Sequence, residues 1–205
     1  MILALCIPTR GVIFARTIKS TILNPQLGKD AHVIIVEGLP IPDSHNECIR
    51  RALSTNCTHI LFVEEDVEVP PDGIRRMVGT ASDGARIVAI DYPIAHGKPT
   101  IMYVAGKPYF AGFGCTLFDR TLFEKEFHDP WLTDKYSLGI VSPGKFELHD
   151  APKERYGKFD IYFGYQCQQL GIQISVIPNL LCKHLRMKTW ERKITNVGMH
   201  DIYEL

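Results

Sequence analysis

The residues with the most chemical reach lie in HILFVEEDVEVPPDG (59–73), where an apolar run ends in three adjacent carboxylates, Glu64, Glu65 and Asp66. Like charges at the rim of a buried sheet repel one another, and desolvation makes the repulsion worse. Either the carboxylates spread into water as an acidic turn, or a cation compensates them. In extended chain Glu64 and Asp66 point the same way, with Glu65 turned away. Two or three such oxygens suit a hard cation, Mg²⁺ or Mn²⁺, which keeps waters and carries substrate phosphates.

Other segments hold polar groups that a ligand could use. In KHLR (183–186), His184 is a candidate third metal ligand. Lys183, Arg186 and Lys188 offer positive charge to a diphosphate, although an exposed basic tail would read the same way. IPTRG (7–11) brings Pro8, Thr9 and Arg10 to the end of a first strand, within reach of a nucleotide. It is neither a dinucleotide fingerprint nor a P-loop. Glu37 closes a second strand and is either an acceptor for a base or ribose or a surface glutamate before a turn. In AGFGC (111–115), Gly112 and Gly114 bring backbone close to a ligand or simply let a strand bend. Asp160, in the first turn of a predicted helix, is a helix-dipole partner or a base facing the cleft.

These residues need a frame that gathers strand ends. Apolar runs at 2–7, 32–37, 59–64 and 86–91 read as strands, and amphipathic stretches at 12–23, 44–55 and 71–81 as helices between them. Ser44 with Glu47 three residues on matches a capping box, and Pro71 opens the third helix. The alternation predicts parallel β-α-β units with both sheet faces covered and ligands at the carboxyl ends of the strands. Beyond residue 91 the rhythm changes. TIMYVAG and PYFAGFGCTLF read as strands, the second leading into a helix from about Arg120. Residues 128–158 read as a long flexible loop, 159–171 as a helix stopped by Gly171, 172–178 as a strand, and 187–205 as a tail.

With 45% hydrophobic and 22% charged residues in 205, the composition suits one globular domain. Lys+Arg and Asp+Glu each total 23, so no global field attracts nucleic acid or anionic membrane. No apolar run approaches the length of a membrane span, and MILALCIP lacks the marks of a secretory leader, which predicts a soluble cytoplasmic protein. The six cysteines contain no C-x-x-C pair and read as buried, reduced thiols.

Taken in order, the strand ending PTRG, the strand ending VEG, HNECIRRAL, ILFVEEDVEVPPDGI, AGFGCTLFDRTLFE, FDIYFGYQCQQLGIQISVIP and KH resemble the GT-A-fold glycosyltransferases. The likeness is greatest to small family-2-like enzymes of bacteria and phages and covers about residues 2–186. FVEED resembles the metal motif of two aspartates one residue apart, with Glu64 in the first place and Asp66 in the second. HNECIRRAL resembles an Arg-Asn segment, with His45 where Arg is usual and Asn46 kept. FDIYFGYQCQQLG resembles a Glu-Asp segment, with Phe159 replacing the Glu and Asp160 kept. His184 matches the metal-binding histidine beyond the last strand.

The resemblance implies a single α/β GT-A domain over 1–205, a Rossmann-like, mostly parallel sheet flanked by helices. Its nucleotide-binding half would be about 1–91 and a smaller C-terminal acceptor side about 92–186. The implied activity is metal-dependent transfer of a sugar from a nucleoside-diphosphate sugar, UDP-linked by preference, to a hydroxyl acceptor. That acceptor is a protein, a lipid-linked or other glycan, a small molecule or a hydroxymethylated DNA base, with Arg50-Arg51, Arg75-Arg76 and 183–193 as local basic patches for DNA. Asp66 and His184 would hold Mn²⁺ or Mg²⁺, and Glu64 would meet the ribose or a metal-bound water. Asp160 would be the base of an inverting enzyme or would orient the sugar in a retaining one. Pro8, Thr9, Arg10, Glu37, Asn46, Arg50, Glu65, Gly112, Gly114, Lys183, Arg186 and Lys188 complete the implied donor contacts. Two rival readings are a sugar-phosphate nucleotidyltransferase and a non-catalytic nucleotide-sugar-binding module of the same build.

Overall fold

A computed structural model describes residues 1–93, 99–104, 106–142, 145–150, 159–189 and 200–204. The strands are β1 (Leu3–Thr9), β2 (His32–Glu37), β3 (His59–Val63), β4 (Val67–Glu68), β5 (Ile87–Asp91), β6 (Ile101–Val104), β7 (Lys107–Ala111), β8 (Cys115–Asp119), β9 (Tyr136–Ser142), β10 (Lys145–Asp150), β11 (Ile174–Leu181), β12 (Lys183–Thr189) and β13 (His200–Glu204). The α-helices are α1 (Ala15–Ser20), α2 (Asp43–Leu53), α3 (Gly73–Ser82) and α4 (Phe159–Gln169).

Six strands form the central sheet in the order β11-β5-β8-β3-β1-β2. β1 runs parallel to β2 and β3, and β11 parallel to β5; β8 lies antiparallel between β3 and β5. β1 sits inside the sheet and is buried at all seven positions, as its unbroken apolar run requires when both faces are covered. β2, at the edge, alternates: Ile34 and Val36 are buried, while Val33 and Ile35 are exposed.

Alternation along β1 and β3 divides the core in two. Ala4, Cys6, Ile60 and Phe62 face one side, where they meet Ile49 of α2 and an aromatic group of Phe113, Phe118, Phe123 and Phe163. Leu5, Ile7, Leu61 and Val63 face the other, against Ile74 and Met77 of α3. All six cysteines are free and buried, as expected. No helix among the described residues is long and apolar enough to cross a membrane.

Several expectations need correction. α2 begins at Asp43 after Pro42, and Ser44 is buried inside it rather than capping it. The carbonyls of Pro40 and Pro42 receive the first helical N–H groups instead, and Glu47 pairs with Arg50 and Arg51. PYFAGFGCTLF is two strands in different sheets, because β7 pairs with β6 while β8 enters the central sheet. The helix from Arg120 is a single π-turn, Leu122–Glu126. The 128–158 stretch contains the antiparallel hairpin β9–β10; residues 143–144 and 151–158 lie outside the described residues. The basic tail supplies β12, which pairs with β4 and β13.

Helix α4 packs on β7 through Gly164, where an added Cβ would come within 2.9 Å of the Tyr109 carbonyl oxygen and closer still to Phe110. Backbone cannot give way as a side chain does. Gly164→Ala is expected to push α4 off β7 and lower stability by about 2–3 kcal/mol, read from the denaturant midpoint.

Candidate functional site

Burial of β3 on both faces ends at Val63, and the chain then turns: the Val67 N–H donates to the Glu64 carbonyl at 3.2 Å. Side-chain alternation therefore stops, and the three carboxylates take three directions. Glu65 is not turned away from the site. It is buried, and its Oε2 accepts from Thr9 Oγ1 and the Arg10 N–H, both at 2.6 Å, while Oε1 accepts from Arg10 Nε at 2.5 Å. Arg10 is thus the cation that the crowded carboxylates require.

Asp66 faces β12. Its Oδ2 lies 3.2 Å from His184 Nε2 and 4.0 Å from an Arg10 Nη. Main chain fixes this pair: His184 is in register with Val67, and the Leu185 N–H donates to the Asp66 carbonyl at 2.7 Å. Glu64 faces β5 and β8 and accepts from the Tyr92 hydroxyl at 3.3 Å. That hydroxyl also accepts from the Gly114 N–H at 3.2 Å, and the Tyr92 ring packs edge-on to His184 with centroids 5.8 Å apart.

Burial, with the nearby charges of Asp66 and Asp160, pushes the Glu64 carboxyl up to about 7. Asp160 is pushed up to about 6, also by burial, although its Oδ1 accepts from the Ile161 N–H at 2.8 Å. Asp160 therefore belongs to the same electrostatic cluster.

Pro8, Thr9, Arg10, Glu64, Glu65, Asp66 and His184 line one cavity of about 320 Å³, together with Leu39, Ile41, Ser44 and His45. Other expected contacts lie elsewhere. Asn46 is engaged on both sides of its amide by the Leu132 backbone, donating at 2.9 Å and accepting at 3.0 Å. Arg50 is exposed and pairs with Asp129 at 2.8 Å. Gly112 and Gly114 are buried, but the space beside them is filled by Tyr92 rather than open to a ligand, because any Cβ there would strike that ring. Glu37 is exposed next to Gly11 and does not line the cavity. Lys183 is exposed at the start of β12; the side chains of Arg186 and Lys188 lie outside the described residues.

Tyr92, buried behind Glu64, was missed from the sequence, and His45 was noted only as standing where Arg is usual. Tyr92 had a signal, since two glycines two positions apart on β8's approach leave a slot for a large ring. His45 lies against Phe62, Phe113 and Phe159 with ring centroids 5.5, 5.9 and 4.7 Å away. Burial drives its pKa down to about 3, so the imidazole is neutral where the resemblance would place a guanidinium.

Among the described residues no three metal-binding side chains converge. The Asp66–His184 pair fits a cation that fills its remaining positions with waters and phosphate oxygens, as Mg²⁺ and Mn²⁺ do, and not a closed structural zinc site.

The raised Glu64 pKa makes a stability prediction. A carboxyl raised from 4.5 to about 7 contributes stability below pH 4.5 that is lost as pH rises through 7. Glu64→Gln should therefore raise the metal-free protein's stability at pH 8 by roughly 3 kcal/mol, with the gain fading toward pH 4, measured by thermal unfolding in chelator.

No family model matches the sequence, and no curated protein does. Among solved structures the chain is similar to A197 from STIV, with a TM-score of 0.62 and 15% identity over 90% of this chain and 85% of that one. It is similar to residues 1–349 of TarS from S. aureus in complex with UDP-GlcNAc, at TM-score 0.51 and 11% identity over 89% of this chain and 57% of that one. It spans only 36% of the longer TarS structure. A third likeness is to glucosyl-3-phosphoglycerate synthase from Mycobacterium tuberculosis, in complex with Mn²⁺, UDP-glucose and phosphoglyceric acid. There the TM-score is 0.54 and the identity 14%, over 92% of this chain and 73% of that one. At such identities the likeness concerns the path of the backbone, and it agrees with the strand order described above: the chain has a small GT-A glycosyltransferase-like fold.

Proposed function

We propose that this chain is a metal-dependent glycosyltransferase that moves a sugar from a nucleoside-diphosphate sugar, a UDP-sugar by preference, to a hydroxyl acceptor. The observation that carries the reading is the convergence of Asp66 Oδ2 and His184 Nε2 at the cavity shared with Pro8, Thr9 and Arg10. The UDP-sugars held by two structures of similar fold support the choice of donor.

Asp66 and His184 would hold Mn²⁺ or Mg²⁺, which supplies positive charge against the diphosphate as it leaves. The protein's own residues do the rest. Thr9 and Arg10, fixed by Glu65, shape the phosphate side of the cavity, and Leu39 and Ile41 give it an apolar wall. Asp160 is the base. It takes the acceptor's hydroxyl proton as that oxygen bonds to the anomeric carbon, while the anomeric C–O bond to the diphosphate breaks. This is an inverting displacement, and a base with a pKa of about 6 is deprotonated and still effective at neutral pH.

Two of the three basic patches are engaged within the fold. Arg50 and Arg51 pair with Asp129 and Glu47, and Arg75 with Asp72. Arg76 donates to the Pro178 carbonyl. These bonds reduce the charge available to a phosphate backbone and favour a glycan or small-molecule hydroxyl over DNA.

The test is UDP-sugar turnover with and without Mn²⁺. Asp66→Ala should lose at least about 100-fold in turnover, an effect on the scale of losing one transition-state charge contact. Metal-independent turnover, or full activity in the variant, would overturn the reading. As a base, Asp160 must be deprotonated, so the rate should rise with pH through a midpoint near 6. Asp160→Asn should remove that limb along with most of kcat.

A further inference from the structure

Arg10 sits on the wall between two cavities. One is the donor cavity described above, and the other, of about 390 Å³, is lined by Arg10, Val12, Phe14, Glu65, Asp66, His184 and Leu185. Its side chain is 78% exposed, yet one end is anchored: Nε donates to the buried Glu65 carboxylate, and the backbone N–H donates to the same group. The terminal Nη groups lie at the far side of the same planar group, and one of them stands 4.0 Å from Asp66 Oδ2. Asp66 Oδ2 thus has Arg10 on one side and His184 on the other.

A divalent ion bound by Asp66 would stand a few ångströms from a guanidinium that is always charged, and the two cations repel. A diphosphate reverses the sign of that encounter. Placed over the pair, it offers oxygens to the ion and, at the same time, a bidentate target to the Nη groups. The guanidinium turns as one planar unit by side-chain torsions while the Arg10 backbone N–H keeps its bond to Glu65, so no backbone movement is required.

We infer that Arg10 is the resident counter-cation of the carboxylate cluster, in the electrostatic place of the divalent ion until a diphosphate draws its guanidinium off Asp66. This rests on the metal-dependent reading above. Its consequence is that ion and nucleotide load together: each binds weakly alone and strengthens the other by the same factor, as linkage demands.

The experiment titrates Mn²⁺ by the electron paramagnetic resonance signal of the free ion, with and without UDP, on wild type, Arg10→Gln and Asp66→Ala. Thermal unfolding checks that each is folded, and Arg10→Ala serves if the glutamine variant is not. The readout is the ratio of Mn²⁺ affinities with and without UDP. Wild type should show a ratio of at least about tenfold. In the Arg10 variant the ratio should fall by more than about threefold, because the ion alone binds more tightly and UDP adds less. A ratio unchanged within that factor, with Asp66→Ala binding no Mn²⁺, would overturn the role of Arg10 and leave the metal-dependent reading standing. Absence of Mn²⁺ binding to wild type even with UDP, or unaltered binding to Asp66→Ala, would overturn both.

Discussion

The bonds made by Glu65 hold the site together. Its carboxylate takes three donors from Thr9 and Arg10, at the end of β1. Its main-chain carbonyl takes two more, the Phe14 N–H and Thr17 Oγ1, both at 3.0 Å, from the start of α1. One residue therefore ties the turn after β3 to the segment after β1 by side chain and backbone together. A carboxylate buried this far is tolerable only with such compensation, supplied here in part by a guanidinium whose side chain is itself 78% exposed. The position of Asp66, one residue on, follows from how firmly Glu65 is held.

Around that anchor the acidic run divides its work. Glu65 meets the fixed cation, Asp66 the histidine, and Glu64 a phenol hydroxyl in a drier place, where its proton is retained to about pH 7. The neighbouring imidazole of His45, packed among phenylalanines, stays neutral and adds no charge. The three carboxylates line one cavity and coexist there because each has a different partner.

The sheet and its helices were legible in the sequence because hydrophobic period and chain order report them directly, and chain order also put forward Asp66 and His184 as candidates for a metal. Asp66 follows a strand, and His184 follows the last strand of the sheet. The direction of Glu65 was not legible, because alternation holds only in extended chain and the i→i+3 bond from Val67 to Glu64 ends it. Gly112 and Gly114 could be read as leaving room, but not as leaving room for Tyr92, which is contributed by another strand's end. Asn46 matched a motif yet serves as a clip on Leu132, a contact 86 residues away that no local pattern encodes. The β9–β10 hairpin was hidden by the Pro, Gly and charged residues that punctuate it.

The pairing of β12 with the two-residue strand β4 has a further consequence. His184 reaches Asp66 only because Lys183 lies opposite Glu68 and His184 opposite Val67. A slip of one residue would turn the imidazole to the other face of that ribbon. The pair is therefore sensitive to length rather than to composition: many substitutions between Ile174 and His184 would leave it in place, whereas one inserted or deleted residue would take it apart.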